Sequence, residues 1–145
     1  MRTLTIFFEG SDPSGTNSLN YIDQILEFLD PSLGISQSAR LVRLFYEIIR
    51  NIYDHADGKG QLYLKDDGQT ISFEIKDYGS RAYDLEAIIA IGVSSKAGSG
   101  RNFGLGLIGG MIKGYANSLG IDLIIATSHG FCYSGVYRYK RSLNE

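Results

Sequence analysis

The chain contains a single cysteine, Cys132, among its 145 residues, so no disulfide can form within it. A lone thiol suits a reducing compartment, and with only two histidines, far apart in the sequence, it argues against a zinc site built from this chain alone. No apolar run approaches the roughly 20 residues needed to cross a bilayer. The start, MRTLTIFFEG, is too short and too alternating for a signal peptide. These absences predict a cytoplasmic protein.

An excess of charge of one sign is also lacking. The formal net charge is −2, with Lys and Arg scattered among Asp and Glu. The chain therefore has no basic patch for nucleic acid and no basic face for a membrane surface. A hydrophobic content of 43% at this length suits one core, and we expect a single domain over residues 1–145.

Hydrophobic periodicity predicts alternating groups of strands and helices. Helices are predicted over 19–29, 38–56, 84–91 and 105–118, and strands over 3–8, 61–65, 70–76, 121–127 and 131–140. Ser18 is the expected N-cap of the first helix, and 30–38 is the expected loop after it. The pair Asp67-Gly68 predicts a hairpin. Because strands come mostly as hairpins and helices in groups, we predict an α/β two-layer sandwich, with a mixed, mostly antiparallel sheet and helices on one face.

The helix predicted over 38–56 carries two stripes side by side. The apolar stripe consists of five residues at helical spacing: Leu41, Leu44, Phe45, Ile48 and Ile52. Glu47, Asn51 and Asp54 form a polar stripe directly beside it rather than on the opposite side. A carboxamide one turn after a carboxylate offers a Mg²⁺ ligand and a base for an attacking hydroxyl. Boundary residues that align by chance would give the same pattern.

Two further segments carry chemistry. Asp77-Tyr78-Gly79 places a carboxylate at the end of a predicted strand, although Asp and Gly are also typical of turns. Gly104-Leu105-Gly106 leads straight into a predicted helix, where backbone N–H groups can approach an anion. With Gly109 this segment also matches the dinucleotide pattern G-x-G-x-x-G. A glycine-rich loop precedes it instead of a strand, so a Rossmann fold is disfavoured, and no P-loop motif occurs.

Together these segments resemble the GHKL superfamily of gyrase, Hsp90, histidine kinases and MutL, which has the ATP-binding Bergerat fold. The resemblance runs from about Leu41 to Gly110 and includes Glu-x-x-x-Asn, Asp-x-Gly, a lid-like loop and Gly-Leu-Gly-Leu. It implies ATP and Mg²⁺ as cofactors. The sequence departs from the family at two positions: Arg81 replaces the last glycine of Asp-x-Gly-x-Gly, and Ile52 stands where a small residue is common.

The resemblance implies a role for each matching residue. Glu47 would be the general base and Asn51 the Mg²⁺ ligand, with Asp54 at the edge of the nucleotide. Asp77 would accept a hydrogen bond from the adenine amino group, and Gly79 would let the base approach. The expected phosphate-side residues are Ser95 and Lys96 in the lid, and the backbone amides of Gly104, Leu105 and Gly106.

The layout is most similar to the freestanding serine kinases of anti-sigma and stressosome switches. The residues before the Glu47 helix contain no histidine, so the phosphoacceptor hairpin of a histidine kinase is not expected there. The resemblance implies transfer of the ATP γ-phosphoryl group to a serine or threonine of a protein partner, either an antagonist domain or a sigma-factor-like regulator. A homodimer is left open. Two alternatives also stand: a slow ATPase in which Glu47 activates water, and a non-catalytic, nucleotide-gated binding module.

Overall fold

The computed structural model describes residues 1–9, 16–55, 59–78, 105–127 and 131–139. In chain order, the helices and strands of these residues are β1 (Arg2–Phe8), α1 (Thr16–Leu33), α2 (Ile35–His55), β2 (Gly60–Asp66), β3 (Thr70–Asp77), α3 (Leu105–Ser118), β4 (Ile124–Thr127) and β5 (Phe131–Arg138). The helix predicted over 84–91 lies outside the described residues. None of the described helices is both long enough and apolar enough to span a bilayer.

The five described strands form one sheet in the order β1-β2-β3-β5-β4, and each neighbouring pair is antiparallel. Strands β2 and β3 form the predicted hairpin. Gly68 in its turn has a φ of 96°. The Asp67 carboxylate accepts hydrogen bonds from the N–H groups of Gln69 and Thr70 at 2.8 and 2.7 Å. This turn chemistry is what the Asp-Gly pair predicts.

Alternation along the strands divides the sheet into a covered face and an uncovered face. One row of the covered face runs across four strands and consists of Ile6, Leu62, Ile75 and Tyr133. These residues belong to one core cluster with apolar side chains from all three described helices. The other face carries the exposed side chains of Phe7 and Val136. The structure thus confirms the α/β two-layer sandwich with helices on one face.

The junction between α1 and α2 corrects the prediction of a loop over 30–38. Helix α1 continues through Pro31 to Leu33, and only Gly34 separates it from α2. Gly34 has a φ of 79°, and its N–H donates to the Asp30 carbonyl at 2.9 Å. The proline lies in the last turn, where it removes one helical hydrogen bond without preventing Leu33 from reaching the core. The expected N-cap was also wrong, because Ser18 lies inside α1.

The strand predicted over 121–127 is shorter in the structure, since β4 begins at Ile124. Helix α3 ends at Ser118 and is followed by Gly120, whose φ is 77°. The N–H of Ile121 then donates to the Ala116 carbonyl at 2.9 Å. This bond satisfies a carbonyl at the helix end and leads Ile121 into the core. Pairing with β5 therefore begins only beyond Ile121 in the chain.

Gly135 on β5 makes room for the aromatic centre of the core. A Cβ atom at this position would lie 2.7 Å from Ile121 Cγ2 and 2.9 Å from Phe73 Cζ. The Phe73 ring in turn packs edge-to-face against Phe45 of α2, with the ring centroids 5.0 Å apart. A glycine in the middle of a strand thus brings α2 and the sheet into contact through two rings.

A buried carboxylate joins three elements at the Asp66 end of β2. Asp66 is 3% exposed and forms a salt bridge with Arg2 at 2.8 Å. It also accepts hydrogen bonds from the hydroxyls of Ser32 and Tyr139 and from the N–H of Gly68. Burial alone raises the pKa of Asp66, but these four donors outweigh it and hold the pKa well below its usual range. The side chain is therefore ionised and links β1, α1 and the end of β5.

Candidate functional site

Helix α2 confirms the apolar stripe that the sequence predicts. All five residues of the apolar stripe are buried. In the neighbouring polar stripe, Asn51 is only 4% exposed, whereas Glu47 one turn earlier is exposed. The backbone of Asp54 belongs to α2, but its side chain lies outside the described residues. The polar stripe therefore runs from the surface at Glu47 into the interior at Asn51.

Asp77 lies at the end of β3 on the covered face of the sheet and is 8% exposed. Its backbone partner on β2 is Gly60. A Cβ atom on Gly60 would clash with the carbonyl oxygen of Lys76 and would lie 3.2 Å from Ile52 Cδ1. The missing side chain at Gly60 therefore lets α2 approach the sheet next to Asp77. The structure brings the predicted metal ligand and the predicted adenine acceptor to the same end of the two layers.

The buried side-chain amide of Asn51 contains an N–H donor that lacks a hydrogen-bond partner. Its Nδ2 atom has no hydrogen-bond partner within the described ranges. A buried N–H donor that lacks a partner costs about 1–3 kcal/mol. A ligand-free protein can retain a donor at this cost when a bound ligand supplies the missing contact, or when the group must stay free to move. The orphaned amide therefore marks this place as a candidate ligand site.

Tyr133 of β5 lies beside Asn51 and Asp77 and is 2% exposed. Burial raises the pKa of its hydroxyl well above the ordinary value, and the nearby Asp77 carboxylate raises it further. The Asn51 side chain acts in the opposite direction and lowers the pKa, as an amide close to a phenol oxygen does. Nδ2 nevertheless does not reach the full geometry of a hydrogen bond to this hydroxyl. Tyr133 is therefore a neutral hydroxyl next to both predicted site residues.

A cavity of about 430 Å³ lies between α2 and α3. Its described lining consists of Arg43, Leu44, Glu47, Ile112, Gly114, Tyr115 and Ser118. The hydroxyl of Tyr115 donates to the Arg40 carbonyl at 2.8 Å. The guanidinium of Arg43 lies 5.6 Å from the centroid of the same ring. Glu47 thus faces a cavity with apolar walls and a cationic rim, while Asn51 and Asp77 do not line it.

The backbone of Leu105 and Gly106 forms the first turn of α3, as the sequence predicts. The first N–H groups of a helix have no partner within the helix and are available to an anion. The other predicted phosphate-side residues, Ser95, Lys96 and Gly104, lie outside the described residues, as does Gly79. Their expected roles stay predictions.

No protein-family model and no curated protein matches the chain. Among solved structures, full-length ShkA in complex with AMPPNP is similar, with a TM-score of 0.54 and 15% sequence identity over 93% of this chain and 32% of that chain. The Acinetobacter baumannii histidine kinase AdeS is also similar, with a TM-score of 0.53 and 12% identity over 97% of this chain and 70% of that chain. The chain has a histidine-kinase-like fold. It spans about a third of the length of ShkA.

The side chains of this histidine-kinase-like fold suit a magnesium ion that is coordinated by few protein atoms and mostly by oxygens of another ligand. Within the described ranges, no group of three or more His, Cys, Asp or Glu side chains could form a protein cage for a metal. Asn51 instead offers one neutral oxygen, Oδ1, as a metal ligand, whereas its orphaned Nδ2 is a donor and does not bind a cation. Mg²⁺ often binds in this way, with few protein ligands and with phosphate oxygens completing its shell.

Two residues at this end of the histidine-kinase-like fold were missed by sequence reasoning. Gly60 precedes the predicted strand 61–65 and gave no sign that a helix packs on it. Tyr133 and Tyr137 lie on β5, and Tyr139 directly follows it at the same alternation. The alternation predicts that all three face the core side, but only the sheet register shows which one lies beside Asp77.

Proposed function

We propose that the protein binds ATP with Mg²⁺ and transfers the γ-phosphoryl group to a serine or threonine hydroxyl of a protein partner. The observation that carries this proposal is the orphaned, buried amide of Asn51 beside the buried carboxylate of Asp77, in a histidine-kinase-like fold. The crystal structure of ShkA with AMPPNP supports an adenine nucleotide as the ligand. A small antagonist domain or a sigma-factor-like regulator is the partner that we propose.

The proposed site divides the nucleotide between two sets of residues. Asp77 accepts a hydrogen bond from the adenine amino group at the end of β3. Asn51 holds the metal, and the N-terminal turn of α3 from Leu105 donates backbone N–H groups to the phosphates. Bound Mg²⁺ would neutralise charge on the phosphate oxygens. Asn51 and Asp77 are both buried, which limits the access of water to these contacts.

Glu47 is the proposed base of the transfer. Its carboxylate takes the proton of the acceptor hydroxyl while the hydroxyl oxygen forms a bond to the γ-phosphorus. The bond between that phosphorus and the β,γ-bridging oxygen breaks, and ADP leaves. The products are ADP and a phosphoserine or phosphothreonine on the partner. Glu47 is exposed and faces the cavity between α2 and α3, so an acceptor segment can reach it from solvent.

The test separates binding from chemistry with two substitutions. Glu47→Gln should leave the calorimetric affinity for AMPPNP with Mg²⁺ within about twofold and abolish transfer of radiolabelled phosphate to a partner captured from cell extract. Asp77→Asn should weaken nucleotide binding by about tenfold or more, since a buried hydrogen bond to a charged group is lost. Equal loss of binding in both variants would count against Glu47 as the base.

Two outcomes would redirect the proposal. Phosphate release by the wild type without a partner, abolished by Glu47→Gln, would indicate an ATPase. Nucleotide binding with neither phosphate release nor a labelled partner would indicate a nucleotide-gated binding module. If the wild type binds no adenine nucleotide at all, the proposed site is wrong.

A further inference from the structure

The hydroxyl of Tyr133 lies between the two parts of the proposed site. We propose that Tyr133 is a positioning residue, whose hydroxyl holds the Asn51 carboxamide with Nδ2 turned inward and Oδ1 turned toward the metal. This inference rests on the proposed function and adds to it a residue that touches neither the nucleotide nor the metal. A phenylalanine would pack equally well against the neighbouring Phe131 ring, so packing alone does not require the hydroxyl.

The direction of Asn51 follows from its neighbours on α2. Ile52 points down onto Gly60 of β2. The Tyr53 ring lies against Phe8 of β1, with the ring centroids 6.4 Å apart. Residues two apart in an α-helix are separated by about 200° around the axis, so Asn51 points away from β1. It is therefore directed across the sheet toward β3 and β5.

The sheet register places Tyr133 where Asn51 is directed. Tyr133 pairs with Ile75 across β3 and β5. Asp77 follows Ile75 by two residues, so it lies on the same face and one row further toward the strand end. A diagonal neighbour at this spacing lies within reach of an aromatic side chain. Both Tyr133 and Asp77 are buried.

The chemistry of the phenol and the amide explains how the hydroxyl positions Asn51. A neutral phenol accepts one hydrogen bond and donates another. In the proposed arrangement it accepts a hydrogen bond from Nδ2 of Asn51. An asparagine amide has two nearly isosteric orientations, and only one of them presents Oδ1 to a metal. Tyr133 selects that orientation.

The experiment compares metal-dependent with metal-independent binding in Tyr133→Phe. Calorimetry with AMPPNP and Mg²⁺ should show an affinity about five- to tenfold weaker than in the wild type, the loss expected for one buried hydrogen bond. Binding of ADP in the presence of EDTA should change by less than about twofold, because the adenine contact does not use the metal. Tyr137→Phe is the matched control: it lies on the same strand and face, and its hydroxyl contacts Gln37 instead.

A second measurement follows the Asn51 side-chain amide by ¹⁵N–¹H NMR in nucleotide-free protein, with the signal assigned by its loss in Asn51→Asp. Its chemical shift should move in Tyr133→Phe and stay in place in Tyr137→Phe. Equal weakening of AMPPNP and ADP, or no weakening of either, would overturn the positioning role. If the wild type binds no nucleotide but the amide shift moves, the proposed function fails and the Tyr133 contact with Asn51 stands.

Discussion

Replacing Asp66 with asparagine should destabilise the fold through the loss of one charge. Asp66 accepts from Arg2, Ser32, Tyr139 and the N–H of Gly68. Asparagine keeps the shape but turns two charged acceptor oxygens into one neutral acceptor and one donor. Hydrogen bonds to a charged group exceed neutral ones by about 0.5–1.5 kcal/mol each. Arg2 is 42% exposed and adds little to the loss of free energy of unfolding, because water screens its interaction with Asp66.

The expected loss for Asp66→Asn is therefore about 2–3 kcal/mol, measured by urea unfolding at pH 7. For a domain of this size that corresponds to a melting temperature lower by roughly 4–12 °C. Asp23→Asn is the matched control, since Asp23 on α1 is exposed. The same change of charge there should alter the free energy of unfolding by less than about 0.5 kcal/mol.

The pH dependence supplies an independent check on the sign. The folded-state pKa of Asp66 is depressed, so its stabilisation is complete above the unfolded pKa of about 3.9. Below that pH the unfolded chain binds the proton first. The wild type should then lose up to about 1.4 kcal/mol per pH unit relative to Asp66→Asn. A wild-type advantage that stays constant between pH 5 and pH 3, or is absent at pH 7, would refute this account of the Asp66 network.

Two glycines should respond in opposite directions to the same substitution. Gly60→Ala should destabilise the fold by about 2–4 kcal/mol in urea unfolding, because its Cβ would clash with the Lys76 carbonyl and displace Ile52. An unchanged midpoint would show that α2 does not pack closely on β2. Gly114→Ala in α3 should instead raise stability by about 0.5–1 kcal/mol, because among the described residues no atom beyond the helix's own backbone and the neighbouring residues lies within 4 Å of the new methyl, and alanine is the better helix former. A loss of stability there would mean that the space beside α3 is filled.

Local patterns determined the helices and strands well where one physical signal dominated. The 3.6-residue period of α2 placed its buried stripe correctly, and Asp67-Gly68 placed the hairpin. The sequence pattern was wrong where competing signals met. Pro31 and Gly34 indicated a loop, but burial of Leu33 keeps the chain helical to the last turn. Ile121 belongs to an apolar run that predicts a strand. In the structure its N–H instead donates to the Ala116 carbonyl at the C-terminal end of α3.

The candidate site shows the same division. Periodicity alone placed Asn51 beside the core, and strand alternation placed Asp77 at a strand end. Only the sheet register brought Tyr133 next to Asp77, and only the close approach at Gly60 brought α2 down onto that end of the sheet. Periodicity fixes which side of an element a residue occupies, because it depends on neighbours in the chain. The distance between two elements depends on how their side chains interlock, and that is set by the tertiary structure.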